Sequence, residues 1–241
     1  MEFILDGFSL GDEKSIKISL EQVFGMVFKY VKQLSEKHGK TKVKDCVIVM
    51  PNYWTLDQRV IILNALAIAD LYPLSVISEN TAAALQYAMN RQDNTTHRVL
   101  FYNLGANALQ VTLAEFRVAN DTKSKSPVET VHIIDEFGLA RVGGLDIDVL
   151  LAQHFTKIFE NKYKKQLNNR AKVKMLEECE QVKEVLSANK DGPLVIEELF
   201  DGIDFQSKIT RAEFEEVIKD ILEKITQPIV PFLRANDIRP K

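Results

Sequence analysis

An α/β fold is the class this sequence predicts, on three observations. Cys46 to Met50 and Leu74 to Glu79 are continuous apolar runs too short for helices, as expected of strands covered on both faces. Each run leads into a helical segment, the first opened by Thr55 with Gln58 three residues on, the second running from Thr81 to Met89. Strand, helix, strand, helix joins parallel strands through crossovers. The third observation is Arg98 to Leu113, RVLFYNLGANALQVTL, in which an apolar run and an alternating run flank the turn Leu104-Gly105-Ala106-Asn107.

The remaining elements follow in order. Ser19 and Gln22 form a capping box, and Val23, Val27, Tyr30, Val31 and Leu34 recur at helical spacing until Gly39, which predicts a core-facing helix. The helix opened by Thr55 runs through Asp70. After the central strand pair come a polar insertion, Ala119 to Pro127, and a strand from Val128 to Asp135. Gly138 to Gly144, GLARVGG, reads as a turn leading into a helix with Val149, Leu150, Phe155, Ile158 and Phe159 on its apolar face. Asn161 to Lys174 reads as a solvated basic connection. A very polar helix from about Arg170 to Ala188 has one thin apolar stripe, Met175, Cys179, Val182 and Leu186. Asp201-Gly202 between two apolar runs predicts a hairpin. Thr210 and Glu213 cap a last helix carrying Phe214, Val217, Ile218, Ile221, Leu222 and Ile225, which Pro228 interrupts or restarts.

Composition narrows the partners. In 241 residues, 46% hydrophobic and 27% charged content with net charge −3 excludes disordered classes and supplies no basic field for nucleic acid. No apolar run approaches the roughly 18 residues of a membrane span, and MEFILDGFSLGDEKS lacks the pattern of a signal peptide. Cys46 and Cys179 suit buried thiols, and 4 scattered histidines do not suggest zinc. Asn94 and Asn120 head N-x-T sequons in polar stretches, which points to a secretory compartment. At the central turn, Gly105 and Asn107 tolerate positive φ, and Ala106 and Ala108 leave main-chain N–H groups uncovered for an anion such as phosphate. An ordinary β-hairpin fits the same residues.

VIVMPNYWTLDQR, VISENTAAALQYAM, FYNLGANALQVT, GGLDIDVLLAQHF, CEQVKEVLSAN and LFDGIDFQSKITRAEFEEV stand in an order and spacing that resemble the ATPase domain of the heat-shock protein seventy chaperones. The resemblance begins near Leu20 and is greatest to the large glucose-regulated, hypoxia up-regulated branch of the endoplasmic reticulum lumen, which ARVGGLDID and VLSAN suggest. It implies an actin-like ATPase (ribonuclease H-like) fold of two lobes, incomplete at both ends, because the family's first phosphate turn and its last adenosine motif lie outside this sequence. Implied divisions are 1–95 in lobe I, 96–142 in the core of lobe II with the phosphate loop, 143–218 in its helical and hairpin subdomain, and 219–241 as a return helix.

The implied ligands are ATP or ADP with Mg held through nucleotide and water. Gly105 and Ala106 match the second phosphate loop, Gly143 and Gly144 the turn at ribose and phosphates, and Glu180, Lys183 and Ser187 the adenosine-holding helix face. Glu79 matches the carboxylate that orients water, and Pro51 and Arg59 match an interdomain relay. Departures accompany these matches. Asn103 replaces a usual aspartate that supports the Mg shell, Ala106 and Ala108 replace glycine and threonine, Glu184 replaces an adenine-stacking arginine, and Asn80 replaces proline.

Two functions compete on this basis. One is a folding chaperone with slow or impaired ATP hydrolysis, acting on unfolded clients through a further domain, with a J-domain co-chaperone. The other is a nucleotide-binding holdase or exchange factor for a partner chaperone. A sugar kinase or actin relative would rest on fold analogy alone. Residues 1–241 by themselves are expected to bind nucleotide weakly or not at all.

Overall fold

The computed structural model describes the backbone of residues 2–10, 13–89, 95–120 and 127–238, and the side chains of 17–89, 95–118 and 130–238. Two compact units divide it: Met1–Phe101 with Thr112–Phe137, and Tyr102–Val111 with Gly138–Lys241.

In the first unit, β1 (Glu2–Leu10) and β2 (Glu13–Ser19) form an antiparallel hairpin that sequence patterning did not foresee. α1 (Leu20–Gly39) begins at Ser19, whose hydroxyl accepts from Gln22 N while Gln22 Oε1 accepts from Ser19 N. β3 (Asp45–Met50) and β4 (Tyr72–Ser78) pair in parallel, as the alternation requires, with α2 (Leu56–Ile68) between them and α3 (Glu79–Met89) after. Met50, Ile62 and Leu66 form the core, lined by Phe24, Phe28 and Trp54. A second cluster gathers Ala84, Ala114 and Phe116 with Tyr87, Val99, Phe101, Val131 and Ile133.

Two expectations fail in this unit. α1 packs through Phe24, buried Gly25 and Phe28, with Lys32 reaching Asp70, whereas Val27, Tyr30, Val31 and Leu34 face outward. The helix carries apolar residues on two faces, and Gly25 decides between them. A Cβ there would lie 2.7 Å from Ile68 Cγ2, so only this side lets α1 approach α2 closely. The strands are also not covered on both faces: Val47 and Val49 of β3 and Leu74 and Val76 of β4 are exposed.

β5 (His97–Leu104), β6 (Ala108–Asn120) and β7 (Pro127–Ala140) are consecutive neighbours in one sheet. β7 extends through Gly138 to Ala140, so the glycine-rich turn is confined to residues 141–143, shorter than GLARVGG suggests.

In the second unit, α4 (Gly144–Tyr163) and α5 (Asn169–Ala188) pack on the hairpin of β8 (Asp191–Phe200) and β9 (Ile203–Thr210). Phe155 and Phe159 of α4 and the whole α5 stripe, Met175, Cys179, Val182 and Leu186, are buried there with Phe205. Val149 lies exposed instead, and the basic connection shrinks to residues 164–168 because helix extends from both sides. Asp201 and Gly202 have φ of 52° and 70°, the pair of left-handed residues that a two-residue hairpin turn demands. The last helical stretch is three pieces, α6 (Arg211–Val217), α7 (Lys219–Thr226) and α8 (Ile229–Ala235). Ile218, at ψ 6°, breaks the first junction and Pro228 the second. The Arg211 guanidinium donates to the carbonyls of Leu186, Ser187 and Asn189, closing the C-terminal end of α5.

Candidate functional site

The turn between β5 and β6 and the start of α4 lie in the second unit and are tied to each other. Gly105 N donates to Ala108 O at 2.9 Å, which closes the turn. Gly144 N then donates to Gly105 O at 3.0 Å, Leu145 N to Ala106 O at 2.8 Å, and Arg141 N to Asn107 O at 2.8 Å. A trans peptide is planar with its C=O and N–H pointing opposite ways. Pinning the carbonyls of Gly105 and Ala106 onto α4 therefore turns the next two N–H groups, those of Ala106 and Asn107, away from it. Residues 105 to 107 are exposed, and both of these donors point away from α4. Neither Gly105 nor Asn107 has a positive φ, so glycine's left-handed freedom is not what the turn uses. The glycine that matters is Gly143, which is extended at φ −171°. A Cβ on it would stand 2.4 Å from Ala106 O and 2.6 Å from Gly105 O.

Asp146 and Asp148 lie in the opening turns of α4. Asp146 Oδ2 accepts from Gly143 N at 3.0 Å, which suits the positive end of the helix dipole. Asp148 is 4% exposed, and its Oδ2 accepts from Lys183 Nζ of α5 at 2.7 Å. Its Oδ1 has no partner among the described residues. The Lys183 ammonium also stands 3.5 Å from Gly144 O. Cys179, one turn earlier on α5, has its thiol pushed up to about 12 by burial, with the charges of Asp148 and Glu178 adding to it. Glu180 and Ser187 are exposed on α5, and the Ser187 hydroxyl donates to Glu184 O at 2.6 Å. Asn103 is exposed near the end of β5, while Ala108 is buried at the foot of the turn.

The first unit holds the other candidates. Arg59 locks the loop after β3, donating to Trp54 O at 3.2 Å, Asn52 O at 3.2 Å and Pro51 O at 3.4 Å. Glu79 opens α3. The Tyr53 hydroxyl is raised, first by burial and then by the charge of Glu79, so the two belong to one neighbourhood. Asn80 is buried and donates through Nδ2 to Thr112 Oγ1 of β6 at 3.2 Å, a bond a proline there would lack. Sequence patterning missed this pair and the Asp148–Lys183 pair, since both join residues more than thirty positions apart. Asn94 and the side chain of Asn120 lie outside the described residues.

Main-chain N–H donors turned outward at such a loop are chemistry that suits an anion. Among the described residues no group of three or more acidic, histidine or cysteine side chains could hold a metal directly.

Comparison with known proteins gives the family. The Hsp70 protein family model matches residues 9–241. Hypoxia up-regulated protein 1 of Rattus norvegicus is 32% identical over 232 residues, covering 92% of this chain and 23% of that protein. The human protein of that name is also 32% identical, with the same coverage. The Xenopus tropicalis one is 33% identical over 241 residues, covering 96% of this chain and 37% of its own. The chain thus spans about a quarter to a third of the length of these relatives. With a family match over nearly all of its length and a mixed helix and sheet architecture, the chain belongs to the Hsp70 protein family and to its actin-like ATPase fold.

Proposed function

We propose that this chain is a nucleotide-binding region of a chaperone of the Hsp70 family that binds Mg-ATP and hydrolyses it slowly or not at all. The observation that carries the binding half is the outward pair of N–H groups at Ala106 and Asn107, aimed by the bonds from Gly144 and Leu145. Gly143 and Gly144 back that turn, and Glu180, Lys183 and Ser187 on α5 are the proposed adenosine face. When bound, Mg-ATP supplies the phosphoanhydride to be cleaved and the cation that offsets its charge. The residues here bind it and position water.

The hydrolytic half rests on two substitutions. Glu79 retains the carboxylate proposed to orient water, but Asn103 carries an amide where an acid would support the hydrated cation. Ala108 brings no hydroxyl to the foot of the turn. These departures favour a second reading, a holdase or exchange factor that senses nucleotide without turning it over. Pro51 and Arg59, fixed by the loop bonds described above, are the proposed relay of nucleotide state. Unfolded clients, a J-domain co-chaperone and a partner chaperone are the proposed interactors. The relatives' names and the sequons at Asn94 and Asn120 support an endoplasmic reticulum setting and glycosylation there.

Single-turnover hydrolysis by the full-length protein tests both halves from one time course. Bound ATP cleaved over minutes supports the chaperone ATPase, and Asn103→Asp should then accelerate cleavage. Bound ATP that stays intact, with cleavage restored by Asn103→Asp, supports the nucleotide sensor. Absence of binding overturns the proposal.

A further inference from the structure

We infer that Ser78 and Asn80 are positioning residues that clamp Glu79 by both of its chain neighbours, holding its carboxylate in place for water. The role rests on the proposed water-orienting reading of Glu79 and adds what fixes it. Glu79 is the first residue of α3, where the backbone is least restrained because its N–H has no partner within the helix. Its neighbours supply the restraint. Ser78 Oγ accepts from Thr81 N at 3.2 Å, the bond a helix N-cap makes, and donates to Glu136 Oε2 of β7 at 3.2 Å. A hydroxyl has one proton to give. With that of Ser78 committed to Glu136, Thr81 is the donor in the 2.7 Å contact between the two hydroxyls. On the other side, Asn80 is 2% exposed and donates through Nδ2 to Thr112 Oγ1 of β6 at 3.2 Å. Residues 78 and 80 are thus tied to two neighbouring strands of one sheet, with Glu79 between them.

β7 anchors a second loop beside the first tie. Asn52 Nδ2 donates to Phe137 O at 3.1 Å, so Tyr53 follows a residue fixed one position along β7 from the anchor of Ser78. Burial and then the Glu79 charge raise the Tyr53 hydroxyl, which makes that hydroxyl a gauge of where the carboxylate stands. Stability alone is a weak reason for the Asn80 tie, since an apolar pair of the same shape would hold about as well as a buried amide and hydroxyl. A carboxylate that must meet one water gains more from being fixed. A displacement of about 1 Å at a reacting centre costs about 100-fold in rate.

The test uses the full-length protein with a fluorotyrosine in place of tyrosine, because fluorine withdraws electrons and brings the hydroxyl's titration nearer neutral pH. Fluorine NMR follows the titration, the Tyr53 signal being the one that Tyr53→Phe removes, and circular dichroism checks the folding of each variant. Glu79→Gln should lower the Tyr53 midpoint. If the clamp holds Glu79, Thr112→Val and Ser78→Ala each lower it towards the Glu79→Gln value, Thr112→Ser restores it, and neither lowers it further once Glu79 is replaced. Single-turnover cleavage of bound ATP should slow about 10- to 100-fold in the same two variants, with ADP affinity kept. A midpoint that Glu79→Gln does not move, or that Thr112→Val and Ser78→Ala leave where it was, overturns the inference, whatever stability is lost. So does parental cleavage in those two variants where Glu79→Gln abolishes it. Cleavage as fast in Glu79→Gln as in the parent, or absent from both, overturns the reading of Glu79 beneath, while the Tyr53 titration still decides whether the clamp exists. Should Thr112→Val fail to fold, Ser78→Ala decides by the same readings.

Discussion

α1 and α5 are both 20 residues long, yet they are held in opposite ways. α5 buries one narrow stripe completely against α4 and the β8–β9 hairpin, while Val173 on the same helix is exposed. α1 touches its own unit through two phenylalanines and a glycine, while Val27, Tyr30, Val31 and Leu34 remain 49–61% exposed. Both helices carry nine apolar residues, so what separates them is which face admits a close neighbour. Hydrophobic content alone is thus a poor guide to where a helix is anchored.

The largest effect that can break this comparison is in the second unit. Phe159→Ala removes a fully buried ring in edge contact with Phe205 and should cost about 3–5 kcal/mol in denaturant unfolding. Phe28→Ala on partly buried α1 should cost less, and equal costs would show α1 to be as firmly anchored as α5. Next is Thr112→Val, which strips the acceptor from a buried Asn80 amide and should cost about 1–3 kcal/mol, with Thr112→Ser recovering most of it. Leu34→Ala on the outward face should stay within about 0.5 kcal/mol of the parent.

Two finer tests follow. Iodoacetamide at neutral pH should label Cys46, which is half-buried, before Cys179, which is fully buried and whose thiolate is strongly disfavoured. Cys179 should react only as the second unit unfolds. At α6, the Glu213 carboxyl is held below its usual range, chiefly by the Thr210 backbone N–H and then by its hydroxyl. Its folded pKa lies below its unfolded one, so the stabilisation is complete above the ordinary carboxylate range and disappears as pH falls through the lowered value. Glu213→Gln should remove that part of the acid sensitivity, seen as a flatter stability profile below the ordinary range.

Local chemistry made much of the fold legible. All three capping boxes, the Asp201-Gly202 hairpin and the α5 stripe stand where residue spacing put them, because each is decided within a few positions of chain. The face used by α1, the exposed sides of β3 and β4 and the break at Ile218 depend on partners distant in sequence, and spacing does not contain them. The site divided in the same way. The small residues of the turn were visible at once, whereas the role of Gly143 as the point of closest approach needed the fold. The Asp148–Lys183 pair left only the weakest trace, an acid at a helix start and a lysine on a polar helix.

The bonds from Gly144 and Leu145 to the turn carry a last consequence. Since the carbonyls are fixed from behind by the chain itself, the two N–H groups are already oriented before any anion arrives. The entropy of ordering that loop is lost when the protein folds, so under the proposed function less of a ligand's binding free energy would be consumed in arranging its receptor.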